Sequence, residues 1–428
     1  MSLVFAPVTK LPLVSMVVLV DAGAALDQPG HDGLAALTGS LLLEGTMTRD
    51  GAALADAFEQ LGATVDVVVG WDSAIVQLTV LKHHADAAMQ LLGEVVRTPG
   101  FREQDVARLR AERLAERLQV RTEPRELAEE SFARFLYAPR SRYALPEGGG
   151  TASVEAMTAD DIRKFHRAWY GPGRTTVIIV GDVSPDHAAS LAQRGFGDWV
   201  AATVVPPGLD DSAQPGGRRI QVVNKAGAPQ TELRIGHRGV PRAHPDYFKL
   251  VVMNAALGGL FSSRINLNLR ERHGYTYGAH SFFDWRRGHG PFAVSTAVES
   301  TVTAAATREI LTEIERIRDS AITVDELSLV TSYLAGVFPI RYETTAAIAG
   351  ALSALVTYDY PADYFDTYRE QVSAVSRDDV LDVARRHLRP DQLLILAAGD
   401  GATIEAPLRD LGVGDVTTTT ADDEEGAV

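Results

Sequence analysis

Two stretches far apart in the chain share one pattern of apolar and polar positions. From Met157, MTADDIRKFHRAWYGPGRTTVIIVGDVSP spaces its first apolar residues as one face of a helix, stops at proline, then turns continuously apolar. From Val375, VSRDDVLDVARRHLRPDQLLILAAGDGAT follows the same course without a gap, an offset of 218 from Met157 to Val375. Thr158 and Ser376 each stand three residues before an aspartate, the signature of a capping box. Pro172 and Pro390 end the helices, and the β-rich runs TTVIIVG and LLILAAG follow. Such self-similarity means a duplicated domain.

The remaining pattern fits two copies. Each half opens with strands (LVSMVVLVDAG; RIQVVNKAGAPQTELRIGHRG), followed by a helix at 33–44 or 246–258. Further strands are predicted in TVDVVVGWDSAIVQLTVL, and in YTYGAHSFF with GPFAVSTAV. Helix pairs follow near 84–97 and 103–120, and near 301–318 and 324–337. The expected fold class is α+β: two duplicated domains, each an antiparallel sheet with helices packed on one face. Residues 1–203 form the first domain and 218–412 the second. VVPPGLDDSAQPGG (204–217) reads as a linker, and 413–428, ending TTTTADDEEGAV, as a disordered acidic tail.

Composition narrows the function. The chain has 428 residues, 46% hydrophobic and 23% charged, the balance of a globular protein of about two domains. A net charge of −15 argues against nucleic acid, whose phosphates need a basic surface. No apolar run approaches the roughly 20 residues of a membrane span. With no cysteine there is no disulfide, thiolate nucleophile or cysteine metal site. The N-terminus superficially resembles a signal peptide, but Pro12, Ser15 and Asp21 break that pattern, and residues 14–20 read as a strand. The compartment stays open: cytoplasmic as given, periplasmic if an upstream signal was removed.

After the opening strand comes GLAALTGSLLLEGT (33–46), a helix rich in small side chains. This helix and the duplication resemble the insulinase/pitrilysin-type metallopeptidases, which include the mitochondrial processing peptidases and the core subunits of the respiratory bc complex. In catalytic members the helix carries H-x-x-E-H, two zinc-binding histidines and the glutamate that activates water. The resemblance places the histidine positions at Ala36 and Ser40, the glutamate position at Gly39, and a third-ligand position at Glu116. Alanine and glycine offer no ligand atom, and one carboxylate cannot hold zinc. None of the eleven histidines forms H-x-x-E-H or H-E-x-x-H. His83 and His84, adjacent on a helix, point about 100° apart, and His31 reads as a loop residue. No cofactor is therefore expected in this chain, zinc being expected in a partner.

The most specific motif is LGGLFSSRINLNLRERHGYTYGAHSFF (257–283). It is similar to the family pattern L-G-G, S-S-R-L, L-R-E-x-x-G-x-x-Y, whose arginine falls on Arg270 and whose tyrosine falls on Tyr277. A guanidinium is a rigid fork of donors for carbonyl oxygens. A phenol donates to the oxygen that becomes negative when an amide is attacked. Arg270 is expected at a helix end and Tyr277 in the next strand, with Gly274 making the turn. Read by spacing alone, both are also compatible with a solvated helix face and ordinary strand packing. Gly258 and Gly259 resemble the glycine-rich, substrate-touching segment of non-catalytic processing-peptidase subunits, or else a helix terminus. Phe282, Phe283 and Trp285 are candidates for an apolar substrate wall or for core.

The resemblance implies a non-catalytic subunit of a heterodimeric zinc peptidase. Its partner would be a homologous zinc-binding chain, and its substrate a peptide or unfolded segment. Rival readings are an inert scaffold like the bc-complex core subunits and a chain active by itself.

Overall fold

The computed structural model describes residues 1–200, 204–206 and 208–420. They form two compact units that interleave along the chain. One comprises 1–116, 146–209 and 339–362; the other comprises 117–145, 210–338 and the residues from 363 onward.

The sheet of the first unit has the order β1-β5-β2-β4-β3, with β1 Ser2–Pro7, β2 Leu13–Val20, β3 Thr64–Val69, β4 Ala74–Leu81 and β5 Thr175–Gly181. β2 pairs antiparallel with β4 and β5, and β1 joins β5 in parallel, so the sheet is mixed where the sequence suggested antiparallel pairing throughout. The strand VSMVVLV is apolar on both faces because both faces are buried. Val14, Met16, Val18 and Val20 face the main core, while Val17 and Leu19 meet Ile178, Val180 and Ala349 on the other side. At about 2 kcal/mol per buried aliphatic side chain, that second face cannot be left in water.

Its cover comes from far along the sequence. Helix Thr345–Thr357 packs on β2 and β5, and Thr345 Oγ1 lies 2.8 Å from Ser15 Oγ. The second unit repeats the device: helix Pro124–Leu136 packs on the strands Gln230–Arg238 and Leu394–Gly399. The contiguous halves read from the sequence, 1–203 and 218–412, therefore differ from the physical units by one exchanged helix segment in each direction. Helices consequently cover both faces of each sheet instead of one.

The second sheet runs β11-β6-β10-β7-β9-β8, with β6 Arg219–Asn224, β7 Gln230–Arg238, β8 Ala279–Phe283, β9 Pro291–Glu299, β10 Leu394–Gly399 and β11 Asp415–Thr420. β6 lies parallel to both β10 and β11. Residues 415–420 of the expected disordered tail are thus a sheet strand, whose run of β-branched threonines, Thr417 to Thr420, suits an edge; 421–428 lie outside the described residues. The expected linker is not free either. Ala138 N donates to Ser212 O, Gln214 N donates to Leu136 O, and Asp211 pairs with Arg238 and His289.

The repeat itself is present as read. Helices Ala159–Trp169 and Arg377–His387 both begin with reciprocal capping boxes, Thr158 with Asp161 and Ser376 with Asp379, and lead into β5 and β10. Among the described residues one helical stretch, Tyr247–Arg272, is long and apolar enough by composition to cross a membrane, but 56% of its apolar window is buried within the protein.

Candidate functional site

The helix that carries Ala36, Gly39 and Ser40 is observed at Leu34–Leu41. Asp27 starts it, accepting the backbone N–H groups of Gly33 and Ala35 at 2.8 Å each. Gly33 has φ +91°, and a β-carbon there would meet Gly148 O at 2.4 Å, so glycine is required. Ala36 and Ser40 share a face, as predicted for i and i+4, but Ser40 Oγ donates back to Ala36 O at 3.1 Å. Gly39 is buried against β3; a β-carbon at this position would come within 2.2 Å of Val69 Cγ2. Glu116 is exposed and ion-paired with Arg113 at 3.0 Å. These residues do not fit a zinc ion: two positions lack donor atoms, the one hydroxyl is bonded back to its own helix, and β3 leaves no room for a side chain at Gly39. The small side chains serve close helix–strand packing.

The motif 257–283 is built differently from its sequence reading. Helix Tyr247–Asn254 continues as a π-turn, Ala255–Gly259, and the short helix Arg264–Asn266 continues as a second, Leu267–Arg272. Such insertions recur at functional sites, and Arg270 lies in the second. The segment is pinned by asparagines. Asn254 bonds Ser281 through both its amide atoms, Asn266 Oδ1 accepts from Ala279 N at 3.0 Å, and Asn268 donates to Glu309 and Glu313. The Asn254 and Asn266 bonds satisfy backbone groups of Ser281 and Ala279 on the edge strand β8, which blunts that edge against strand addition. Arg264 clamps Glu326 through Nε at 2.6 Å and Nη2 at 3.0 Å. That pairing, together with the backbone N–H of Thr323, holds the Glu326 carboxyl at about 2.

Arg270 is half-buried, its guanidinium 4.3 Å from the centre of the Phe261 ring. Its Nη1 is buried and makes no hydrogen bond among the described residues. Gly274, at φ +66°, reverses the chain as expected, with Gly274 N donating to Arg270 O and Tyr275 N donating to Leu269 O. Tyr277 is not in a strand: β8 begins at Ala279. The loop is held instead by side chains, since Thr276 Oγ1 donates to Gly278 O at 2.9 Å and Thr296 Oγ1 bonds Thr276 Oγ1 at 3.0 Å. Tyr277 projects from this fixed base 94% exposed. With Gly274, Tyr275, Thr276 and, opposite, Glu299 and Thr301, it borders an open groove of about 720 Å³. Arg270 is not among the groove's lining residues, so the two side chains share one turn without sharing one pocket.

Gly258 and Phe283 are structural. A β-carbon on Gly258 would lie 2.5 Å from Ser281 Oγ and 2.7 Å from Ser281 N, so glycine here lets the π-turn touch β8. Phe283 is buried between Trp285 and Phe292, with ring centres 5.0 and 4.9 Å away, and cannot form a substrate wall. Gly259 is exposed and Phe282 half-buried beside His280, so only these two of the four remain open to a ligand. Gly258→Ala is expected to cost about 1–3 kcal/mol by overpacking, read as a lower thermal midpoint. A substrate-contacting glycine would instead change KM with the midpoint unmoved.

The sequence reading missed one cluster. His244, Asp246 and His387 bring their ligand atoms within 4.8 Å of one another in the second unit. Only the short spacing of His244 and Asp246 was visible locally, as the third member is 141 residues further on.

Two α+β units that repeat one helix–strand pattern define the class: a duplicated α+β fold with sheets of five and six strands. Sequence comparison agrees. The model of the insulinase (peptidase family M16) domain matches residues 7–141, and that of the peptidase M16 inactive domain matches 156–333. The chain belongs to the M16, insulinase-type peptidase family. It is 23% identical over 370 residues to an uncharacterized zinc protease of Streptomyces coelicolor, covering 85% of this chain and 80% of that one. To an uncharacterized zinc protease of Bacillus subtilis it is 20% identical over 388 residues, covering 91% and 93%. A crystal structure described as a peptidase M16 inactive domain from Pseudomonas fluorescens matches with TM-score 0.87 and 26% identity, covering 93% of this chain and 95% of that one.

Proposed function

We propose that this chain is the non-catalytic subunit of a heterodimeric peptidase, giving Arg270 and Tyr277 to peptide substrate at the metal site of a homologous H-x-x-E-H chain. The observation that carries the reading is the state of these two side chains. Both are donors mounted on a rigid turn, and each keeps donor capacity that the described protein does not use. The Arg270 side chain is 35% exposed although its Nη1 is not, and with the exposed phenol seven residues on it offers donors to a ligand that spans the turn. An extended peptide offers acceptors as a row of carbonyl oxygens. Arg270 fixes the substrate backbone, and the Tyr277 hydroxyl donates to the carbonyl oxygen under attack. The packing of Gly39 on Val69 supports the assignment of metal and base to the partner chain.

The test is co-purification of the tagged chain from its native cell, followed by peptide hydrolysis assays on the complex. The expected result is a stoichiometric partner with H-x-x-E-H and activity in the complex. Recovery in an assembly without peptidase activity supports the scaffold reading and overturns this one.

A further inference from the structure

We infer that His244, Asp246 and His387 form a transition-metal site that clamps two helices of the second unit, separate from the peptidase machinery. His244 and Asp246 lie at the entrance to helix Tyr247–Asn254, and His387 is the last residue of helix Arg377–His387, which packs on it. The His387 Nε2 is 2.7 Å from Asp246 Oδ2, and His244 Nδ1 is 3.8 Å from the same oxygen. The rings meet edge to face with centres 4.8 Å apart. A tetrahedral ion with donors at about 2.1 Å spaces those donors about 3.4 Å apart. These spacings, with the third pair no more than 4.8 Å apart, lie on either side of that value, so shifts of up to about 1 Å bring the three atoms around one ion.

The donor set is two imidazoles and one carboxylate, with room for water in the remaining positions. That chemistry selects Zn²⁺, Co²⁺, Ni²⁺ or Cu²⁺ over Ca²⁺ and Mg²⁺, which require oxygen ligands. Asp246 and His387 are largely buried, with side-chain exposures of 12% and 10%, which holds both in place before any ion arrives. Two interactions compete with the metal. Arg386 Nη1 contacts Asp246 Oδ2 at 2.6 Å, and Asp246 N donates to His244 Nδ1 at 3.1 Å. Arg386 has a second carboxylate, Asp382 Oδ2 at 2.6 Å, to retain it when Asp246 turns to a cation. Affinity is therefore moderate and set by this competition. Binding through Nε2 requires that nitrogen as a lone pair, so the contact of His387 Nε2 with Asp246 Oδ2 is given up to the ion.

The test uses the full chain, free of a histidine tag, with His83 and His84 replaced by asparagine to remove that adjacent pair, whose rings lie 4.0 Å apart. Co²⁺ titration should show one equivalent bound, with visible ligand-field bands, and Zn²⁺ should displace it. At saturating Zn²⁺ the thermal midpoint should rise by about 2 °C. His244→Ala and His387→Ala should each weaken Co²⁺ binding at least about 10-fold. Arg386→Gln, an exposed change that leaves all three ligands, should strengthen it. Absence of saturable Co²⁺ binding, or binding indifferent to all three substitutions, overturns the proposal. Peptidase activity enters none of these readouts, so the outcome is independent of the function proposed above.

Discussion

Tyr277→Phe is expected to lower kcat of the assembled peptidase about 100-fold while KM changes little, the loss characteristic of a single oxyanion donor. The phenol packs against nothing that would collapse without its hydroxyl, being 94% exposed, and the loop beneath it is fixed by Thr276 and Thr296. Assembly and thermal midpoint should therefore match the unmodified complex, which separates a chemical role from a structural one. Arg270→Lys tests the companion role: a lysine keeps the charge but loses the planar fork stacked on Phe261. Its loss should fall mainly on KM. Steady-state kinetics on an internally quenched peptide reads both, and equal turnover by Tyr277→Phe and unmodified complexes rejects the assignment.

Acid should weaken both units through two buried histidines. In the first unit His166 Nε2 lies 2.8 Å from Val96 O, and burial depresses its pKa to about 4. In the second, His237 Nδ1 lies 2.9 Å from Arg238 O and its Nε2 accepts from Arg389 N at 3.2 Å, so the neutral ring is satisfied at both nitrogens; burial again brings it to about 4. An unfolded imidazole titrates near 6.5. Between pH 6.5 and 4 the unfolded chain therefore binds more protons, and stability, complete above 6.5, falls as pH drops through that window. From pH 7 to pH 5 each ring should remove about 2 kcal/mol, the linkage value for a shift of this size. Urea unfolding at the two pH values measures it. His237→Gln, which cannot titrate, should be less stable at pH 7 yet lose less on going to pH 5; an equal loss in both proteins contradicts the account.

How far the fold was legible depends on whether its cause was local. The capping boxes at Thr158 and Ser376, the prolines after each helix and the apolar runs of β5 and β10 are written in adjacent residues, and all are observed as read. The helix exchange was not legible, because helix Thr345–Thr357 meets a strand some 330 residues away, Thr345 against Ser15. The one clue was that VSMVVLV is apolar on both faces, which already required a cover on each. The π-turns were hidden because the apolar spacing of AALGG and LNLRER does not separate a π-turn from an ordinary helix end; Asn254 and Asn266, the residue before each, bond to β8. The same cause misplaced Tyr277: its aromatic neighbours favour a strand, but the Thr276 hydroxyl bonds turn the backbone aside before the ladder begins at Ala279. In the site, the identities at 36, 39 and 40 were legible from the chain, but not the packing of Gly39 on Val69 or the return of the Ser40 hydroxyl to Ala36 O. Which of the candidate contacts were packing, Gly258 and Phe283 among them, depended on distances only three dimensions supply.

The central claim is a division of labour between two chains, and one measurement addresses it most directly. The purified chain and the same chain mixed with its H-x-x-E-H partner are assayed side by side for hydrolysis of an unfolded peptide, with and without a chelator. The account predicts no turnover by this chain alone, whatever metal His244, Asp246 and His387 hold, and chelator-sensitive turnover once the partner is added. Chelator-sensitive hydrolysis by the chain unaided, in a preparation free of any second polypeptide, would contradict it.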